Sequence, residues 1–188
     1  MDALMAAFVA AILAQASDRT PWLTAILSTR FARPGAVIAG TALALALINM
    51  IGAIGGAIIG PRMTPNAQTL LLAMALVLAG GSALFQIKPP NRLSRWRIGA
   101  FLTSFLGVAI LAFGDRTQFI TAALAARSPT PALAAIGATI GALVVNVPAI
   151  LMGEQARNTL PVTAIRVTIA IMFLIVGATL GFSALRLI

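Results

Sequence analysis

Two short stretches, Asp18-Arg19-Thr20 and Asp115-Arg116-Thr117, place ionisable side chains inside otherwise apolar runs. A carboxylate beside a guanidinium and a hydroxyl has the means to bind a cation, to carry a proton, or to hold helices together. Ionised groups within apolar spans are costly and by default mark a functional site. Gln15 stands three residues before Asp18, and Gln118 three after Asp115. On a continuous helix that spacing puts each amide on the face of its Asp. Pro21 has no N–H to offer, so the Ser17 carbonyl lacks its usual helical donor, and an oxygen freed beside a carboxylate suits a hard cation. Pro148 frees the Val144 carbonyl in the same way, close to Asn146. Asn49 and Asn146 lie in the middle of apolar runs, where an amide serves either as a cation ligand or as an interhelical hydrogen bonder. Thr20 and Thr117 are ligands or bond back to their own helix. Arg19 and Arg116 tune the carboxylates or act as internal counter-charges. The structural alternative stays open: the aspartates neutralise arginines and join helices. Adjacent residues on a helix diverge by about 100°, so neither Asp need pair with its own neighbour.

The elements that position these residues follow from composition. Of 188 residues, 60% are hydrophobic and 9% charged, with a mean hydropathy of +1.02. A soluble domain carries roughly 25% charged residues, so this chain needs lipid as its solvent. A helix needs about 20 apolar residues to cross the hydrocarbon core. Apolar runs separated by breakers place spans near 4–28, 36–59, 67–87, 98–125, 132–152 and 162–185, an all-α membrane protein of six transmembrane helices. Arg166 falls within or at the start of the last span.

The two halves are copies. A shift of 97 residues carries Asp18-Arg19-Thr20 onto Asp115-Arg116-Thr117 without a gap. The same shift carries Arg30 onto Arg127, Pro34 onto Pro131, Gly40 onto Gly137, Asn49 onto Asn146, Gly80 onto Gly177 and Phe85 onto Phe182. Each copy holds three spans, so the second must enter the membrane from the opposite side. The expectation is two inverted three-helix repeats, 1–91 with a cytoplasmic linker and 98–188, forming one integral domain with the site near the midplane between them. The loops set the orientation. Arg30, Arg33, Lys88, Arg92, Arg95, Arg97 and Arg157 gather on one side, and Arg62, Arg127 and Arg186 on the other. The first side is expected in the cytoplasm, with both termini outside. Ala14-Gln15-Ala16 resembles a signal-peptidase site, but Asp2 stands where a basic segment belongs, so the first helix is expected to be retained. Glycines four residues apart, Gly52-Gly56-Gly60, Gly137-Gly141 and Gly177-Gly181, are expected to let helices approach closely. Glu154 is expected in a solvated loop.

Several classes of function are excluded. The chain has no Cys and no His, which removes disulfides, thiolate and imidazole metal sites, and Ser–His or Cys–His catalysis. No nucleophile–base set is visible, so an enzyme is not expected, nor a bound cofactor. The net charge of +9 sits mostly in short loops without a basic–aromatic surface, so nucleic acid is not an expected partner. The expected partners are the lipid bilayer, a transported cation and protons, with further copies of the chain left open.

Gly114-Asp115-Arg116-Thr117-Gln118-Phe119, echoed by Asp18-Arg19-Thr20, resembles the Gdt-type cation/proton exchangers, the transmembrane protein 165 family of Golgi and bacterial membranes. The stretch from Gly40 through Asn49 and the closing stretch from Leu160-Pro161 through Arg166, Phe173 and Gly177 are similar to that family too. The resemblance implies export of Mn²⁺ or Ca²⁺ from the cytosol in exchange for protons. It also implies Glu-x-Gly-Asp-Lys/Arg-Ser/Thr in each copy, with the Glu and Asp forming the cation site. Asp18 and Asp115 match those aspartates. The two Glu positions are Gln15 and Ala112, and the first Gly is Ser17. Two carboxylates and two arginines leave this site neutral, whereas four carboxylates would leave it negative. The expected function is a secondary transporter in a bacterial inner membrane, working by alternating access. Asp18 and Asp115 are its loaded or protonated groups and its expected metal ligands, with Gln15, Gln118, Thr20, Thr117, Asn49 and Asn146 as neutral ligands. The alternatives are the same fold carrying another solute, and a degenerate membrane subunit that no longer transports.

Overall fold

A computed structural model describes residues 1–85, 89–155 and 162–185. Lys88, Arg157 and Arg186, three of the charges used for orientation, and Leu160-Pro161 of the family-like closing stretch lie outside the described residues. The described residues form eight α-helices: α1 (Asp2–Ala16), α2 (Thr20–Phe31), α3 (Pro34–Ile59), α4 (Pro65–Leu84), α5 (Ala100–Ala112), α6 (Arg116–Ala126), α7 (Pro131–Met152) and α8 (Val162–Ala184). Proline stands in the first turn of α2, α3, α4 and α7, where its missing N–H would have had no intrahelical partner. The Thr64 hydroxyl accepts the Ala67 N–H and caps α4.

The protein is an all-α, multi-span membrane protein. Four helices, α3 with its terminal turn, α4, α7 with its terminal turn, and α8, are long and apolar enough to cross a membrane. α5 and α6 are long and apolar enough only as a pair, bent by 68° at the break between them, the form of a broken span or of a re-entrant loop. Two of the six expected spans are therefore not continuous helices. The stretch 4–28 is divided between α1 and α2, and the stretch 98–125 between α5 and α6. Each break falls at an Asp-Arg-Thr motif. Apolar periodicity could not show this, because hydropathy runs unbroken through a bend.

α3 lies at the centre, packed against α5, α6 and α7, while α1 lies on α7 and α4 on α8. These pairings match under the 97-residue shift: α1 with α7 corresponds to α5 with α3, and α4 with α8 corresponds to itself. The correspondence extends to atoms. A Cβ on Gly40 would collide with the Phe101 carbonyl oxygen, and a Cβ on Gly137 with that of Leu4, the residue equivalent to Phe101. Gly80 meets the Ala170 carbonyl, and Gly177 meets that of Ala73, the residue equivalent to Ala170. Close backbone approach of this kind is how helices gain packing where lipid competes for apolar surface.

Beneath the linker before α5, Leu23, Leu27, Leu45, Val108 and Ile150 form a buried apolar cluster, with Leu93 packed against it. The Arg30 guanidinium at the end of α2 holds the linker, donating to the carbonyls of Leu93 (2.6 Å), Ser94 (3.2 Å) and Trp96 (2.7 Å). Glu154, expected to be solvated, lies at the surface and pairs with Arg92 at 3.4 Å.

Candidate functional site

The two breaks are built differently. At the second, Gly114 takes a φ of +74°, a conformation that L side chains rarely adopt. The turn it makes leaves Asp115 extended (φ −77°, ψ 170°) as the N-cap of α6, where its carboxylate accepts the Gln118 N–H at 2.7 Å. Free N–H groups at a helix start favour such an acceptor. At the first break Ser17 has φ −111° and ψ 16°, and the chain turns by tight bonds from Ser17 N to Ala14 O (3.3 Å) and from Asp18 N to Gln15 O (3.0 Å). Arg19, not Asp18, is the N-cap of α2, and its side chain makes no capping bond. Asp18 instead accepts the Thr20 hydroxyl at Oδ2, 2.8 Å away. Thr117 stands at the same spacing from Asp115, two residues on, and its hydroxyl accepts from Gln15.

Arg116 joins the two breaks. Its guanidinium donates to the Ser17 hydroxyl (Nη1, 3.0 Å) and the Ser17 carbonyl (Nη2, 2.8 Å), and it contacts Asp18 Oδ1 at 3.4 Å. The side chains of Arg116 and Asp18 are only 13% and 14% exposed, so the pair is largely withdrawn from solvent. Asp18 and Asp115 lie within electrostatic reach of each other. The Ser17 carbonyl, expected to be freed by Pro21 in a continuous helix, is instead free because the helix ends before it, and the guanidinium takes it.

Behind the carboxylates runs a buried polar chain. Gln15 Nε2 donates to Thr117 Oγ1 (3.1 Å), Asn146 Nδ2 donates to Gln15 Oε1 (3.0 Å) and to the Ala142 carbonyl (2.9 Å), and Thr24 Oγ1 donates to Asn146 Oδ1 (3.3 Å). Gln15, Thr117, Asn146 and Thr24 are all buried. The chain links α1, α6, α7 and α2, and so fixes both helices of the first break and the helix that follows the second.

Several sequence expectations need correction. Gln15 does not turn its amide to Asp18, because the helix ends at Ala16 and the face is lost; its amide spans Thr117 and Asn146. Gln118 is beside Asp115 through its backbone, while its side chain accepts the Gly114 N–H (2.6 Å) and donates to the Ile48 carbonyl (3.3 Å). Asn49 is buried but bonds Thr139 at 3.2 Å, apart from the chain that holds Asn146. Arg19 is exposed, and its side chain has no hydrogen bond or ion pair among the described residues, so the counter-charge role falls on Arg116 alone. Ala112, at the second family Glu position, is enclosed in the apolar cluster with Val108 and Ala142. Sequence reasoning missed Thr24 and Thr139. Thr24 carried a usable signal: the 97-residue shift pairs it with Thr121. Among the described residues no group of three or more His, Cys, Asp or Glu side chains is placed to hold a metal.

Carboxylates set at the unwound points of apolar helices, inside a multi-span protein with a buried polar interior, are the arrangement of ion-coupled membrane transporters. The chain belongs to the family described as "Divalent cation/proton antiporter GDT1", whose sequence model matches it twice, at residues 3–90 and 100–187. Those two matches are themselves 97 residues apart. The chain is also 27% identical over 183 residues to a Vibrio cholerae serotype O1 protein titled "Putative manganese exporter", an alignment covering 97% of this chain and 92% of that one. No solved structure matches it.

Proposed function

We propose that this protein is a secondary transporter that exchanges a divalent cation, Mn²⁺ or Ca²⁺, for protons across a bacterial inner membrane, and that it performs no enzymatic step. The observation that carries the reading is the meeting of the two Asp-Arg-Thr motifs at two helix breaks, in a chain of a cation/proton antiporter family. Asp18 and Asp115 alternate between cation-loaded and protonated forms. Thr20 and Thr117 hold their carboxylates, and Gln15, Gln118 and Asn146 supply the polar frame. Asn49 belongs to the frame of the central helix.

The architecture proposed for this activity is six crossings in two inverted repeats, 1–91 and 98–188, with α1–α2 and α5–α6 as broken spans and the linker in the cytoplasm. The reciprocal contacts of Gly40 with Phe101 and Gly137 with Leu4 support it. Alternating access is then a rocking of one repeat against the other about the breaks.

Inverted vesicles with an imposed pH gradient test the activity. Wild type is expected to show saturable, gradient-driven Mn²⁺ uptake, and Asp18→Asn and Asp115→Asn are each expected to reduce it at least about tenfold, the loss of one charged ligand. Asn remains a good cap, so Asp115→Asn should still fold. Uptake in the Asn variants equal to wild type would sink the proposal. The topology is checked separately, since the chain has no native Cys: Ser94→Cys should be shielded from an impermeant thiol reagent in intact cells, and Ser128→Cys labelled. The reverse pattern would invert the assignment.

A second reading, the same fold carrying a monovalent cation, is favoured by one observation. Gln15 and Ala112 are both committed elsewhere, so the site holds only two carboxylates, and Arg116 already pairs with one of them. Uptake of Na⁺ or K⁺ with no Mn²⁺ uptake would select it.

A further inference from the structure

The Arg116 guanidinium sits against three oxygens of the first break: the Ser17 carbonyl, the Ser17 hydroxyl and one oxygen of the Asp18 carboxylate. We infer that Arg116 is a tethered cation occupying an oxygen cradle that a hard metal ion would otherwise take, so that loading of the ion requires Arg116 to leave. This deepens the transport reading given above and rests on it for the identity of the ion.

Four observations support the assignment. The acceptor set is a carbonyl, a hydroxyl and a carboxylate, the oxygen types that hard divalent cations select. The carbonyl is free for a backbone reason, since α1 ends at Ala16, α2 begins at Thr20, and Ser17 lies between them outside either helix's hydrogen-bond ladder. The second Asp18 oxygen is already held by Thr20, which aims the remaining one at the guanidinium. Finally, the contact is not one the motif needs in order to fold. Arg19, the equivalent residue in the first copy, is exposed and makes no such bonds among the described residues.

A planar guanidinium fits such a cradle well, because its N–H groups diverge in a fixed fork that reaches several acceptors at once. It also cancels the Asp18 charge within a largely dry pocket, where an unpaired carboxylate would be costly. A divalent ion entering here meets a positive group of the protein in its place. The ion must supply enough binding energy to expel the guanidinium, and the guanidinium helps to expel the ion when it returns. Arg116 therefore sets affinity and release in opposite directions. It is a positioning and specificity residue, not a ligand.

The test uses the full-length protein and Mn²⁺ as the probe. Equilibrium dialysis with radioactive Mn²⁺ on the detergent-solubilised chain measures binding without transport, and vesicle uptake gives KM and maximal rate. Arg116→Gln is expected to bind Mn²⁺ about tenfold more tightly, the loss of a charge-assisted competitor, with a lowered KM and a lowered maximal rate. A merely structural arginine would lower the amount of folded protein and leave affinity and KM alone. Should Arg116→Gln fail to fold, Arg116→Lys keeps the charge but loses the fork, and is expected to bind about threefold more tightly than wild type. Mn²⁺ affinity equal to or weaker than wild type in the variant that folds, or no binding in either protein, overturns the inference. Tighter binding by the variant without any wild-type uptake would keep the tethered cation and discard the antiporter reading. Uptake by wild type with unmoved affinity in the variant would do the reverse.

Discussion

The first and second breaks carry the same three residues and fold them differently. In the second, Gly114 turns the chain through a left-handed conformation, and Asp115 caps the helix that follows. In the first, Ser17 stands in place of that glycine. The chain stays in ordinary backbone space, and Asp18 is left free of the capping role. One arginine crosses to the other copy and the second does not. The difference runs on into the middle helices, where Asn146 anchors the buried polar chain and its counterpart Asn49, among the described residues, bonds Thr139 alone. A duplicated sequence thus supplies two equivalent sets of groups, and a single position in the turn decides which set is spent on structure and which is held by the other copy.

The largest effect should come from the polar interior. Asn146→Leu keeps the volume but leaves the Gln15 carbonyl oxygen buried without its donor. An unsatisfied buried group costs about 1–3 kcal/mol. Asn49→Leu deprives Thr139 of one donor, but Thr139 still donates to the Ala135 carbonyl, and interhelical bonds of that kind are worth about 0.6 kcal/mol in membranes. Thermal unfolding in detergent should therefore separate the two variants clearly, with Asn146→Leu the less stable. Equal losses would mean that the two halves share the polar load equally.

Next in size is the turn itself. Gly114→Ala adds a methyl group that meets nothing within 4 Å, so any cost is conformational, about 1–2 kcal/mol for a left-handed L-residue. Ser17→Ala adds no such strain at φ −111° and removes only a hydroxyl, a change of about 0.5–1.5 kcal/mol. The expected order of stability is wild type, then Ser17→Ala, then Gly114→Ala. A Gly114→Ala protein as stable as wild type would show that the second break does not depend on its glycine.

How much of this was legible beforehand follows from what each signal measures. Hydropathy located α3, α4, α7 and α8 within about three residues, because lipid burial leaves a run of apolar residues and proline marks its start. The repeat was visible because Asp, Arg, Pro and Asn rarely coincide by chance in so apolar a chain. The carboxylates were recognisable from their cost in an apolar run. The breaks were hidden, since nothing in hydropathy reports a bend, although Gly114 stands in the second and Pro21 in the first turn of the helix after the first. Partners were the least legible. A continuous helix would put Gln15 beside Asp18, but the helix stops at Ala16 and the amide points to Thr117 and Asn146 instead. That Arg116 rather than Arg19 would cross between copies depends on backbone angles that one Ser-for-Gly difference sets, and spacing alone cannot supply those.

The smallest expected effect is at Arg19. Its side chain is exposed and has no hydrogen bond or ion pair among the described residues, and substitutions away from special contacts usually change stability by no more than about 0.5 kcal/mol. Arg19→Gln should therefore unfold within that margin of wild type, and its Mn²⁺ affinity should shift by less than about twofold, since nothing in the Ser17–Asp18 cradle touches it. Arg116→Gln, measured alongside, should move affinity several times further. The comparison is sharp because the two residues occupy equivalent positions and carry the same charge, so a long-range electrostatic effect alone would act on both. A loss or gain at Arg19 as large as that at Arg116 would mean that the present asymmetry belongs to one conformation. Arg19 would then reach across to the Gly114–Asp115 turn in the opposite one, and the two arginines would exchange their parts as the repeats rock.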